Sequence, residues 1–112
     1  MKLTAGLFES LCLAHGLPKP VPEHKFHSSR DWRFDWFFNV GCGIALEIEG
    51  GVWASKTGNK SRHFHGKGAL GDMEKYNEAA IMGICVLRVS TDQFTNGAAL
   101  ELVLRAIEAR TK

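Results

Sequence analysis

The stretch from Trp32 to Glu49, WRFDWFFNVGCGIALEIE, leaves this chain few ways to fold. Trp32, Phe34, Trp36 and Phe38 alternate with Arg33, Asp35 and Phe37. After a glycine-flanked break, Ile44, Leu46 and Ile48 alternate with Ala45, Glu47 and Glu49. Period-two alternation of aromatic and β-branched residues marks two strands, and a connection of roughly five residues holding Gly41 and Gly43 permits a hairpin. Centring that hairpin on Gly41 sets Asp35 opposite Glu47 and Arg33 opposite Glu49. Opposed residues hold their Cβ atoms about 4.5–5.5 Å apart. Two carboxylates at that separation repel by about 3 kcal/mol at an effective dielectric near 20. Any polar residues would complete the outer row, so folding alone does not ask for acid facing acid. A divalent cation would convert the repulsion into coordination, because hard cations take carboxylate oxygens. The two expectations are a metal site on a rigid hairpin and a solvated acidic edge.

The chain has 112 residues, which suits a single domain spanning residues 1–112 with one sizeable core. Its 45% hydrophobic and 23% charged content is ordinary for a globular protein. A net charge of +2 permits nucleic-acid binding without arguing for it. Cys12, Cys42 and Cys85 lie far apart with no CxxC pair. They read as small buried hydrophobes in a reducing compartment. The opening MKLTAGLFESLCLAHG is broken by Glu9 and carries no secretory-leader pattern. No apolar run approaches the roughly 18 residues of a membrane span, so a cytoplasmic protein is expected.

Leu3, Leu7, Leu11 and Ala14 share a face at helical spacing, and Gly16 with Pro18 stops it, which predicts a helix over residues 3–15. LPKPVP reads as an extended connector, and Glu23 to His27 as a short edge strand. After Glu49, GGVWASKTGNKSRHFHGKG has little apolar periodicity and no acidic residue. Lys56, Lys60, Arg62, His63, His65 and Lys67 concentrate the basic charge there, in a loop suited to gripping a phosphate backbone or simply solvated. Leu70 to Met82 reads as a helix ending at Gly83, with Met73, Asn77, Ala80 and Ile81 towards one side and Asp72, Lys75 and Ala79 towards another. Ile84 to Ser90 is a near-continuous apolar run, hence a buried strand, and a helix between two strands suggests that it runs parallel to part of the sheet. Thr91 and Asp92 offer helix-start chemistry. Leu100, Val103, Leu104 and Ile107 then predict a final helix. The expected fold is α/β or α+β, a mixed central sheet with an αβββαβ core plus a C-terminal helix.

An aspartate on one strand and Glu-x-Glu on the next resembles the PD-(D/E)XK nuclease superfamily, whose restriction-endonuclease-like core is an αβββαβ unit. The blocks WRFDW, ALEIEGGVW, RHFHGKG, GDMEKYNEAAIMG and VLR are similar to small phage and bacterial endonuclease-like proteins related to the very-short-patch-repair type. The resemblance runs from about Phe26 to Arg88. It implies that Asp35 is the metal-binding aspartate and Glu47 the second acidic ligand. Glu49 stands where most members have lysine, and either joins the metal shell or leaves the lysine's task to another residue. Lys75 is the first candidate for that task, from a helix packed behind the hairpin, and Lys67 the second.

The implied chemistry is Mg²⁺- or Mn²⁺-dependent hydrolysis of DNA phosphodiester bonds, with the ion lowering the pKa of a bound water. The basic loop would hold flanking phosphates, and His63 would serve as proton donor or phosphate contact. Arg88 reads as a structural partner of an acidic neighbour. A chain this short has no added recognition domain, so branched or four-way-junction DNA, as in a Holliday-junction resolvase, or non-specific duplex is expected over a specific sequence. A homodimer would let two sites cut paired strands. The competing readings are a nucleic-acid-binding module of the same fold with lost or weak catalysis, and an interaction protein whose acids bind no metal. A zinc site using His63, His65 and Cys42 or Asn77 lacks the paired spacings such sites show.

Overall fold

A computed structural model describes residues 2–49 and 66–110, with side chains throughout except at 66–69. The elements run in the order α1 (Ala5–Ala14), β1 (Val21–Lys25), β2 (Arg33–Phe38), β3 (Ile44–Glu49), α2 (Gly66–Ile81), β4 (Cys85–Ser90), α3 (Thr91–Thr95) and α4 (Ala98–Arg110). They form an α+β fold around one four-stranded sheet in the order β1-β2-β3-β4. β1, β2 and β3 pair antiparallel, and β4 lies parallel to β3. The parallel pair follows from the α2 crossover, as the sequence leads one to expect. Among the described residues no helix is long and apolar enough to cross a membrane.

The hairpin register is the one its alternation predicts: Trp36 pairs with Leu46, Phe37 with Ala45 and Phe38 with Ile44. Gly43 makes the connection possible. Its φ of 121° lies in the left-handed region, and a Cβ there would come within 2.3 Å of the Phe37 ring.

Both faces of the sheet are covered. On one, α1, α3 and α4 bury Phe8, Cys12, Phe94, Leu100 and Val103 against Trp36, Phe38, Ile44, Leu46 and Val89. On the other, Phe26, Phe34, Phe37, Ala45 and Ile84 pack with Ala79 of α2, and Trp32, Tyr76 and Val86 flank them. The aromatic row of β2 is therefore core, but it is not one row. Trp36 and Phe38 face α1 and α4, while Phe34 and Phe37 face α2. The alternation breaks at Asp35. There the ladder to β3 stops, and the ladder to β1 skips Glu23, whose φ of 51° is unusual for a non-glycine residue.

Several boundaries move. In α1 the inward residues are Phe8 and Cys12, with Leu11 beside them, and Ala14 is exposed. Phe8 turns the helix because its ring meets Trp36 and Phe94 at centroid distances of 5.1 and 5.0 Å. The edge strand covers Val21–Lys25, not Glu23–His27, because its partner on β2 runs from Arg33 to Phe37. α2 begins at Gly66, four residues before the expected start, so Lys67 belongs to its first turn and not to a loop. Gly66 and Gly68 hide that start from a propensity argument. Beyond Ser90 there are two helices. Ser90 caps α3 with Gln93 in a reciprocal capping box, and Gly97, at φ 94°, separates α3 from α4. Cys42 is exposed in the hairpin connection, Cys85 is half-buried, and only Cys12 is a buried hydrophobe.

Candidate active site

Where β2 and β3 part, side chains replace the backbone ladder. Asp35 Oδ2 accepts the Ile48 N–H at 2.7 Å, and Glu47 Oε1 accepts the Asp35 N–H at 3.3 Å. Each carboxylate thus satisfies a backbone donor that the parting strands leave open. The two acids that the sequence sets opposite each other are neighbours across this gap.

The helix α2 supplies the other half of the site. Lys75 Nζ donates to Glu47 Oε2 at 2.7 Å, and the Tyr76 hydroxyl donates to the same oxygen at 3.1 Å. The ion pair is largely out of solvent, with Lys75 13% and Glu47 14% exposed. Removing one partner from such a pair strands a buried charge. The Lys75 ammonium also lies 4.8 Å from the Phe34 ring centroid, so the break at Asp35 that turns Phe34 towards α2 provides a surface for it. Burial pushes the Tyr76 phenol up, and the charge of Glu47 adds to it, which keeps it protonated and donating.

Glu49 is engaged elsewhere. Arg88 Nε donates to Glu49 Oε2 in a close ion pair, and its guanidinium lies 4.7 Å from the Tyr76 ring centroid. The parallel register places Arg88 beside Glu47 on the α2 face of the sheet. Glu49 in turn raises the Arg88 pKa through that hydrogen bond. Arg33 does not face Glu49 in a ladder, since pairing ends at Trp36 and Leu46. The structural reading of Arg88 holds, and its partner is Glu49.

The site therefore brings Asp35, Glu47 and Lys75 together, with Glu49 one step along β3. Three carboxylates, Asp35, Glu47 and Glu49, face two cations, Lys75 and Arg88. Among the described residues no cation pairs with Asp35. No group of three His, Cys, Asp or Glu side chains converges as a ligand cage among the described residues. Two carboxylates still fit Mg²⁺, which is held by one or two carboxylates plus substrate phosphate and keeps several waters. Both are hard oxygen donors at a splayed strand end.

The outer side of α2 carries three large apolar residues, Leu70, Met73 and Ile81, which are 61, 60 and 76% exposed. The polar side turns inward because it serves the carboxylates. A turn on the same face is tied to α2. His27 Nδ1 accepts the Ser29 and Arg30 N–H groups at 3.2 Å, and its Nε2 lies 3.4 Å from Glu78 Oε1. Arg30 stacks on Trp32 at 4.0 Å and reaches Glu74 at 3.4 Å.

Of the expected nucleic-acid contacts, Lys56, Lys60, Arg62, His63 and His65 lie outside the described residues, and the side chain of Lys67 does too. Tyr76 escaped the sequence reading as a site residue. The signal available was its place next to Lys75 on the polar side of a helix whose other side is apolar. The chain matches no family model, no curated protein and no solved structure in comparisons with known proteins.

Proposed function

We propose that this chain is a metal-dependent DNA endonuclease of the PD-(D/E)XK type, in which Lys75 of α2 stands in for the lysine that Glu49 replaces on β3. One observation carries the reading: Lys75 Nζ reaches Glu47 Oε2 at 2.7 Å, beside an aspartate that faces the same gap from the other strand. An ammonium from a helix meets an acid of one strand, next to an acid of the neighbouring strand, although 28 residues separate Lys75 from Glu47.

Asp35 and Glu47 would hold Mg²⁺ or Mn²⁺. When bound, the ion supplies charge to a phosphate oxygen and lowers the pKa of a coordinated water. Lys75, held by Glu47 at 2.7 Å, is placed to hold an attacking water or a phosphate oxygen, stabilising the charge that develops there. Arg88 takes Glu49, so the acids nearest the gap are Asp35 and Glu47. Lys56, Lys60, Arg62, His63, His65 and Lys67 supply the positive charge that flanking phosphates require. The substrate class this supports is branched or junction DNA, or duplex cut without sequence preference, with a homodimer as the arrangement that cuts paired strands.

A nucleic-acid-binding module with lost or weak catalysis is the second reading. It is favoured by Glu49, an acid at the motif's lysine position, and by a Lys75 already committed to Glu47.

Labelled linear duplex, single strands, flaps and a four-way junction, each incubated in Mg²⁺, Mn²⁺ or EDTA, separate the two. Metal-dependent cutting lost in Asp35→Asn, Glu47→Gln and Lys75→Met, by at least about a hundredfold, supports the nuclease. Binding without cutting in any metal overturns it in favour of the module.

A further inference from the structure

The two donors on Glu47 Oε2 have a consequence for which ion the gap accepts. Lys75 Nζ and the Tyr76 hydroxyl both point at that one oxygen, at 2.7 and 3.1 Å. On the facing strand, Asp35 Oδ2 is taken by the Ile48 N–H at 2.7 Å. Among the described residues, each carboxylate is therefore left with one oxygen for the gap, Oε1 of Glu47 and Oδ1 of Asp35. Glu47 Oε1 keeps, among the described residues, only the long contact of 3.3 Å from the Asp35 N–H.

Small and large divalent cations respond differently to such a site. Mg²⁺ demands near-octahedral geometry at short distances, with single oxygens and retained waters. Ca²⁺ takes six to eight oxygens and gains from carboxylates that bind through both. A pair of carboxylates locked to one oxygen each favours the first and denies the second its bidentate contact.

We infer that Tyr76 is a positioning residue that sets ion selectivity: by occupying Glu47 Oε2 it holds Glu47 to single-oxygen coordination and favours Mg²⁺ or Mn²⁺ over Ca²⁺. This rests on Asp35 and Glu47 being the ion ligands, as proposed above. Tyr76 suits the task better than Lys75 alone. A lysine ammonium swings on four methylenes, whereas the phenol is fixed by its ring. That ring is partly buried against the aromatic cluster that holds Phe34 and Ala79 and is covered by the Arg88 guanidinium at 4.7 Å. Tyr76→Phe removes the hydroxyl and leaves the ring, its packing and its contact with Arg88.

The test is Mn²⁺ binding to the full chain, read by electron paramagnetic resonance, with Mg²⁺ and Ca²⁺ as competitors. No nucleic acid and no turnover are involved. In the wild type, Mn²⁺ binds in a manner that Asp35→Asn abolishes, and Mg²⁺ displaces it more readily than Ca²⁺. In Tyr76→Phe, Ca²⁺ gains on Mg²⁺ by about ten- to a hundredfold, the worth of one hydrogen bond to a charged oxygen. Lys75→Met, which removes the other donor, moves the ratio the same way. Thermal unfolding of the same samples establishes that each variant is folded, a state a merely structural tyrosine would alter without touching the ratio. A wild-type ratio in Tyr76→Phe overturns the assignment of Tyr76 and leaves the nuclease reading standing. Wild-type protein that binds no Mn²⁺ through Asp35 overturns both.

Discussion

The layer beneath α1 and α4 and the layer beneath α2 share the same four strands, yet they are filled by different means. In the first, Phe8, Phe38, Ile44, Leu46 and Val103 are fully buried and apolar, and the stabilisation is the removal of hydrocarbon from water. In the second, an aromatic patch around Phe34 gives way towards one end to Glu47, Lys75, Tyr76, Glu49 and Arg88. That end holds charge in a half-buried setting, where repulsion and desolvation oppose folding. A fold can carry such a region because the opposite layer supplies the stability. The first layer holds the sheet, and the second carries the charged groups on which the proposed function rests.

The sharpest way to break this comparison is to weaken the first layer. Leu46→Ala should cost about 2–5 kcal/mol in urea unfolding. A cost below about 1 kcal/mol would mean that the layer beneath α1 and α4 does not carry the fold.

A smaller effect tests how dry that layer is. Burial raises the Cys12 thiol from 9.0 to about 11, with Glu9 adding to the shift. Above pH 9 the unfolded chain releases this proton while the folded chain keeps it. Stability from Cys12 is therefore complete below pH 9 and lost as pH rises through 11. The loss is on the order of 1–2 kcal/mol after allowing for partial solvation. Urea midpoints between pH 8 and 11 should fall more steeply in the wild type than in Cys12→Ala. Equal slopes would sink the assignment.

The smallest effect has the opposite sign. Asp35→Asn removes one of two facing acids and keeps an oxygen for the Ile48 N–H. The metal-free protein should be unchanged or more stable by up to about 1 kcal/mol. If Asp35 and Glu47 hold Mg²⁺ as proposed, Mg²⁺ should raise the melting temperature of the wild type and leave that of Asp35→Asn unchanged. A metal-free loss of several kcal/mol would make Asp35 a structural residue and erase the contrast between the layers.

The sequence carried the hairpin well. Alternation on both sides of Gly41 and Gly43 fixes the register, and with it the approach of Asp35 to Glu47. Lys75 was legible too, because a helix crossing from β3 to a parallel strand packs behind the hairpin. The break in β2 was not. Trp32, Phe34, Trp36, Phe37 and Phe38 are all apolar, so a one-residue change of face at Asp35 leaves no mark on the pattern. Hydropathy also gives the wrong inward side for α2: it would bury Met73 and Ile81, whereas an ion pair from Lys75 and a hydrogen bond from Tyr76 to Glu47 turn these two to the sheet. The pairing of Glu49 with Arg88 depends on the parallel register of β3 and β4, which no local pattern reports.

The first strand of the sheet carries a consequence for self-association. β1 lies at an edge, where an unpaired row of backbone groups invites another chain to add a strand. Pro22 has no N–H to offer such a newcomer, and at Glu23 the backbone turns into the left-handed region and places a charge beside it. Five residues interrupted twice make a poor template for sheet extension. Copies of this chain that assemble are thereby steered away from growing the sheet through β1, the route that ends in fibres.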